Sequence, residues 1–580
     1  MTRIFILFVL CVAFLIINCQ MEPCQVKTIT IEEYIDKMKA GWVGQMVGVG
    51  WGGPTEFKWK GEIIPEDAVP RWKPDMVNQF EQDDIYVEMT FLRTLEEHGF
   101  DVSIHQAGID FANSKYMLWH ANKAGRNNLR SGIAPPYSGH PKYNTHADDI
   151  DYQIEADYSG LIAPGMPNTV IELGDKFGRI MNYGDGLYGG LFVGGMYAAA
   201  FFEKDIEKII DAGLACIPEK SMYYECIANV VDWYRKYPDN WEQSWHLIQN
   251  KYQDYEKYRK FSCGGPDSDF NIDAKINGAY IVMGLLYGNG DIDSTIAFSM
   301  RCGQDSDCNP SNAAGILFTK MGFSNIPEKY KKALDSTQKF SYTEYNFEEL
   351  IDVCEKLAHD AVLRSGGKIQ KDEHDEEVFV IPIKEPVPGE LEQCWEPEEI
   401  KEDVYFSEEE MQQITIRTRK PDEFISKWQV SGPYTKEGAN SAKALFDVIF
   451  PPEPGNDQNA DWQTLPADRS MPHIVQFHNI FGGKNRVAYM RTRFHSDDAR
   501  NAVLELGTDD GTKVWLNGEL VHSLNVARGL MLGADRIDVR IQKGWNTLLI
   551  KVTQEAGGWE AAACLCDEKK NALGDLDFQI

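Results

Sequence analysis

The sequence is short of positive charge. Fifty-eight Lys and Arg stand against 89 Asp and Glu, a formal net charge of −31 at pH 7. Such a surface repels phosphate backbones at long range, which excludes general nucleic-acid binding. Apolar runs long enough to cross a bilayer are missing beyond the first residues, which excludes a multi-span membrane protein, and the composition excludes a collagen or a coiled coil. Cysteine is sparse, 12 in 580 residues, and no pair of CxxC motifs has zinc spacing. A disulfide framework or a zinc knuckle therefore does not organise the chain. What is present, 43% hydrophobic and 25% charged residues, is the profile of a large folded chain with room for several domains.

The start has its own character. Arg3 precedes an apolar stretch from Ile4 to Ile17, followed by Asn18 and Cys19. One positive charge before a short apolar core reads as a signal peptide over residues 1–18, too short to span a membrane comfortably. Ile16-Ile17-Asn18-Cys19 approximates a lipobox, with Asn18 where a small residue is usual. Export follows, to the periplasm or the cell surface of a bacterium, with a lipid anchor at Cys19 or simple cleavage as the alternatives.

Residues 25–365 carry helical periodicity and little strand character. Thr30, with Glu33 three residues on, forms a capping-box pattern. From Asp84, DIYVEMTFLRTLEEHG places Ile85, Met89, Leu92 and Leu95 on one face and stops at Gly99. Further helices are predicted through YGGLFVGGMYAAAFFE, IEKIIDAGLACI, CIANVVDWYRKY and INGAYIVMGLLYG. The region reads as all-α. Residues 366–422 are charged and Pro-rich, a linker with short strands. From 423 to 580 the period becomes two, and Asp510-Gly511, Asn517-Gly518 and Lys543-Gly544 read as tight turns between strands, the first two as hairpins. A β-sandwich is predicted there, with Cys564 and Cys566 on one strand face. Trp428, Trp515, Trp545 and Trp559 are either core residues or a sugar-stacking platform.

Three acidic clusters carry potential chemistry. The first is Asp83-Asp84 at a helix start, with Glu88 one turn on; helix capping accounts for either aspartate alone, but not for the group. The second is Gly303-Gln304-Asp305-Ser306-Asp307-Cys308-Asn309-Pro310, with Asn309 expected as N-cap and Pro310 at the first helical position. Two aspartates one residue apart beside a glycine turn present oxygen ligands to a hard divalent cation. The same Gly-x-Asp-Ser-Asp-x-Asn pattern occurs at 265–271, either a decoy turn or a second wall of one cleft. The third cluster is His146, Asp148, Asp149, Asp151, Glu155 and Asp157, read as a solvated face residue by residue and as the rim of a substrate cleft as a group. Asp185 lies in a Gly-rich loop, and because no Lys follows, a P-loop is excluded.

Together these motifs resemble the ADP-ribosylglycohydrolase family, which includes dinitrogenase-reductase-activating glycohydrolase. GWVGQMVGVGWGGPTEF ends in Glu56, QDDIYVEM holds the Asp pair, and GQDSDCNPSNAA holds the late Asp-x-Asp, in the family's order. The resemblance implies an all-α catalytic domain with a divalent-metal cleft, Asp83, Asp84, Asp305 and Asp307 being ligands, and Glu56 matching a glutamate at that site. Gln82, Ile85 and Cys308 depart from the family's hydroxyl residues, so the number of ions is one or two; Mg²⁺ is expected, with Mn²⁺ or Ca²⁺ as alternatives. DDGTKVWLNGELV and KGWNTLLIKV resemble the galactose-binding-like, jelly-roll modules of secreted bacterial glycan enzymes. The combined expectation is an exported, metal-assisted glycoside hydrolase acting on a glycan or on a ribosyl- or arabinosyl-type furanoside. Glu56, Asp84 and Asp149 are its catalytic residues, and Asp148, Asp151 and Asp185 bind substrate. The alternatives are a hydrolase of ADP-ribose or nucleoside-type conjugates and a non-catalytic glycan-binding surface lipoprotein.

Overall fold

The computed structural model describes residues 25–580 apart from 266, 401–402, 417–418, 440, 456–459, 467–468, 470, 556 and 569–570. The expected signal segment and Cys19 lie outside the described residues. Among the described residues no helix is long and apolar enough to cross a membrane. The chain divides into two compact units. One comprises the residues up to Arg126 together with Ala134–Val404, the other Asn127–Ile133 with Tyr405–Ile580.

The first unit is helical. Thr30 caps its opening helix, Ile31–Gly52, by accepting the Glu33 N–H at 3.1 Å. This helix packs against Cys308–Met321 through Gly41, Gly44 and Gly48, and Gly52 on the same face meets Ser306 and Asp307 just before Cys308. A methyl group at Gly48 would sit 2.2 Å from the Pro310 carbonyl oxygen, and one at Gly52 2.1 Å from that of Ser306. Only glycine permits this approach, and the pair runs antiparallel because Gly41 meets Thr319 while Gly52 meets Ser306. The helices Asp185–Ala200 and Ala274–Gly288 are buried nearly all round, as their continuous apolar composition requires. Among the unit's described residues one three-stranded antiparallel sheet forms, in which Val26–Thr30 and Lys368–Lys371 flank Glu377–Pro382, with Thr28 opposite Val380. The stretch read as a linker thus contributes two of these strands, and its residues through Val404 belong to the helical unit.

The second unit carries two antiparallel sheets. Among the described residues one has seven strands and the other four. Met490, Val514 and Ile550 from the first meet Leu504, Val539 and Ala563 from the second in one apolar core, the sandwich expected from the alternating pattern. Trp428 and Trp559 are fully buried there and Trp515 is buried in an adjoining cluster, while Trp545 is 43% exposed beneath the Arg493 guanidinium. One turn expectation needs correction. Asn517-Gly518 does close a hairpin between Thr512–Leu516 and Glu519–Leu524. Asp510-Gly511, however, carries the chain from one sheet to the other, as does the Lys543-Gly544 turn. At the first crossing the Asp510 carboxylate accepts the N–H groups of Arg528 and Glu555, fixing a corner instead of a hairpin.

Candidate active site

The end of the opening helix, the start of Asp83–His98 and the loop before Cys308–Met321 converge. Gly303 and Gln304 both take positive φ, at 82° and 56°, and turn the chain into the Asp-Ser-Asp loop. A side chain at Gly303 would meet the Glu62 carbonyl oxygen at 2.6 Å. The short turn Gly53–Thr55 is fastened to this loop, Thr55 Oγ1 lying 2.8 Å from Ser306 Oγ and the Phe57 N–H donating to the Gln304 carbonyl. These ties deliver Glu56 to the aspartates. The helix begins at Cys308 with Asp307 as N-cap, two residues earlier than expected. Pro310 fits because the first-turn N–H groups have no intrahelical acceptor to lose, and Asn309 donates instead to Asn277 Oδ1 at 2.9 Å.

Donor atoms of Asp84, Asp307 and Cys308 lie within 4.8 Å of one another, as do those of Glu56, Asp305 and Asp307, so Asp307 is common to both groups. The Cys308 thiol points at Asp84 Oδ2, 3.4 Å away, while Asp84 Oδ1 is buried without a hydrogen-bond partner. Asp83 is half-buried beside them. Burial pushes every one of these carboxyls upward. Asp305 reaches about 7, with Glu56 and Asp84 adding to the effect of burial. Asp84 and Asp307 lie well above their ordinary range, and Asp83 is also raised. Glu56 is still reached by solvent, yet partial desolvation and then Asp307 and Asp83 lift it to about 7. A crowd of carboxylates with an orphaned oxygen fits a divalent cation by charge and by donor chemistry. Cys308 brings one soft donor into the set.

Behind Asp84 lie three more buried carboxyls. The Tyr158 N–H donates to Glu88 Oε2, Asn122 Nδ2 to Glu155 Oε1, and Asp157 accepts from Tyr197 (3.0 Å) and Asn312 (2.8 Å). Burial holds all three well above the usual carboxylate range.

The remaining expected site residues separate into different surroundings. Asp149 is fully buried and accepts from His146 Nδ1 at 2.7 Å, with His120 Nδ1 3.3 Å from the same oxygen. Burial alone would raise its carboxyl; the two imidazoles outweigh this and leave it lowered. Asp148, Asp151 and Asp185, expected to bind substrate, are buried inside the unit; each has a protein partner, while Asp148 Oδ1 and Asp185 Oδ2 have no hydrogen-bond partner. Asp148 pairs with the buried Lys275 at 2.9 Å, and Asp273 shares that lysine at 3.2 Å. Asp185 accepts the Tyr223 N–H, and burial followed by Asp148 lifts it to about 7. Asp151 caps the helix His120–Arg130 from outside by accepting the Ala121 and Asn122 N–H groups. In the earlier Asp-Ser-Asp copy, Asp267 and Asp269 are exposed. That copy still borders the site, because Gln304 donates to the Asp269 carbonyl and accepts from the Asn271 N–H. Sequence reading missed His120, Cys263 and Lys275. None lies in a motif, and only the tertiary fold brings them to the acidic clusters.

The profile of the ADP-ribosylglycohydrolase family matches residues 30–366, more than half of the chain. A solved structure described as an ADP-ribosylglycohydrolase-related protein complex is 13% identical, covering 57% of this chain and 99% of its own, with a TM-score of 0.36. That likeness is too slight to bear on function. No curated protein matches the chain.

Proposed function

Because the chain belongs to the ADP-ribosylglycohydrolase family, we propose that its glycosyl-hydrolase-type chemistry is directed, outside the cell, at a glycan or a furanoside. The observation that carries the reading is the meeting of Glu56, Asp84, Asp305 and Asp307, from three distant segments, around the shared Asp307 carboxylate. Asp84, Asp305, Asp307 and Cys308, with Asp83 at their edge, are the residues to hold one or two divalent cations, Mg²⁺ first among them. A bound cation supplies positive charge that gathers sugar hydroxyls and orients water.

The chain's own groups do the rest. Asp305 and Asp307 are held rigidly by the glycine turn and the helix start, so the acidic wall is fixed before substrate arrives. Glu56 stands at the solvent-facing side of that wall, where its carboxylate can take a proton from an attacking water or return one to the leaving oxygen. Asp149 has both histidines against it, which leaves Glu56 as the free proton carrier. The apolar run Ile4–Ile17 and the β unit with its exposed Trp545 support an exported carbohydrate substrate.

The test is hydrolysis of aryl furanosides and polysaccharides beside ADP-ribosyl-arginine, after EDTA treatment and with Mg²⁺, Mn²⁺ or Ca²⁺ restored. Release of free sugar from the carbohydrates, abolished by EDTA and recovered with the ion, is the expected outcome. Turnover of ADP-ribosyl-arginine alone would replace the carbohydrate reading, and turnover unaffected by EDTA would remove the cation from it.

A further inference from the structure

A second constellation lies in the same unit, and its chemistry differs from that of the carboxylate wall. His120 opens the helix His120–Arg130, His146 and Asp149 stand in the loop before Asp151–Ile154, and Cys263 comes from a loop more than a hundred residues later. One donor atom from each of the four lies within 4.8 Å of all the others. We propose that His120, His146, Asp149 and Cys263 form a binding site for one borderline transition-metal ion of the Zn²⁺ class, separate from the hard-oxygen set around Asp307.

An ordinary hydrogen-bonded His–Asp pair accounts for only part of what is seen. His146 Nδ1 and Asp149 Oδ2 make such a bond at 2.7 Å. His120 Nδ1 comes within 3.3 Å of the same oxygen, yet is buried with no hydrogen-bond partner. Asp149 Oδ1 is likewise without a partner, on a residue that is 0% exposed. A thiol closes the group, and His120 is held at φ 39°, unusual for a residue other than glycine. Two imidazoles, a thiolate and a carboxylate are the donor types of tetrahedral zinc. With metal–ligand bonds of about 2.0–2.3 Å, the edge of such a tetrahedron is about 3.3–3.5 Å. Two of the observed separations are already at or inside that length, and the others, within 4.8 Å, need a contraction of at most about 1.5 Å. Nitrogen and sulfur donors favour Zn²⁺ over Mg²⁺ or Ca²⁺, the reverse of the preference around Asp307.

The position gives the ion a task. Phe270, on the loop that carries Cys263, stacks on the His120 ring at 5.8 Å and meets Phe57 at 5.2 Å, the residue after Glu56. An ion joining Cys263 to His120 and His146 would pin this loop beside the carboxylate wall.

The full mature chain, purified under reducing conditions, is loaded with Zn²⁺ or Co²⁺, dialysed against Mg²⁺, and analysed for metal content and absorption. Retention of one Zn²⁺ per chain is expected, and the Co²⁺ form should show tetrahedral d–d bands with a near-ultraviolet thiolate charge-transfer band. Cys263→Ser should abolish the charge-transfer band, and His146→Gln should lose the ion, while Asp84→Asn and Asp307→Asn keep both signals. Cys263→Ser changes one atom on a loop, and its far-UV circular dichroism should overlay the parent's, so its result stands even if His146→Gln folds poorly. No retained Zn²⁺ in the parent, or a charge-transfer band that survives Cys263→Ser, would overturn the site. Loss of the ion in Asp84→Asn but not in His146→Gln would also overturn it, by assigning the ion to the carboxylate wall. The failure of carbohydrate hydrolysis would touch none of these readouts.

Discussion

Asp84 is buried with one carboxylate oxygen facing the Cys308 thiol and the other facing no hydrogen-bond donor. Asp84→Asn keeps the shape and removes the charge, so the fold should survive. Turnover should fall on the order of a hundredfold or more, with a matching loss of bound divalent ion in elemental analysis. Asp307→Asn should do the same, and the double variant should be scarcely worse than either single one, because both act through one shared site. Cys308→Ser exchanges a soft donor for a hard one, and the ratio of activity with Mg²⁺ to activity with Cd²⁺ should rise; an unchanged ratio would place the thiol outside the ligand set. At this scale the sequence was readable where carboxylates came in pairs. Asp83-Asp84 and Asp305-x-Asp307 announced themselves because adjacent carboxylates at a helix start or glycine turn exceed what capping needs. Asp148, Asp151 and Asp185 were singled out in the same way, but their partners, Lys275, two backbone N–H groups and the Tyr223 N–H, are ones that local spacing does not reveal.

Among elements, the opening helix and Cys308–Met321 determine how Glu56 meets the aspartates. Gly48→Ala would drive a methyl into the Pro310 backbone, an overpacking cost of about 1–3 kcal/mol, and its effect should be on the thermal midpoint. Gly52→Ala meets the Ser306 carbonyl and, at 2.5 Å, the Asp307 Cα. It should therefore lose more activity than Gly48→Ala at equal loss of stability, as kcat set against the midpoint would show. Equal activity in both variants would mean that the helix pair does not position the loop. The helices themselves were legible from periodicity, as Thr30 and Gly99 show at their ends. The start of Cys308–Met321 was misplaced because Pro310 marks a first turn without saying which of its positions it fills. The strand Val26–Thr30 was invisible because its partner, Glu377–Pro382, lies far along the chain.

At the scale of the whole molecule, the buried carboxyls set the response to pH. Asp185, Asp157 and Glu88 have folded-state pKa values above their ordinary 3.8 or 4.5, so the folded chain holds protons that the unfolded chain has released. Their stabilisation is complete at low pH and is lost as pH rises, through about 7 for Asp185, with Asp157 and Glu88 acting in the same direction. In EDTA the thermal midpoint should drop by several degrees between about pH 5.5 and about pH 8; a flat or rising profile would show that these groups stay ionised in the fold. The division into a helical and a β unit was legible from the change of period. The path of the chain through the β unit was not, because an Asp-Gly or Lys-Gly turn looks the same whether it closes a hairpin or changes sheet. From Val475 to Gln579, every strand except Glu519–Leu524 lies in the opposite sheet to its predecessor. Few of its pairings can therefore form by zipping outward from a turn, and loop closure must precede most of the stabilising contacts. The hairpin at Asn517-Gly518 is the natural place for assembly to start, and the sandwich should be the slower-folding half of the protein, complete only when its last strand has arrived.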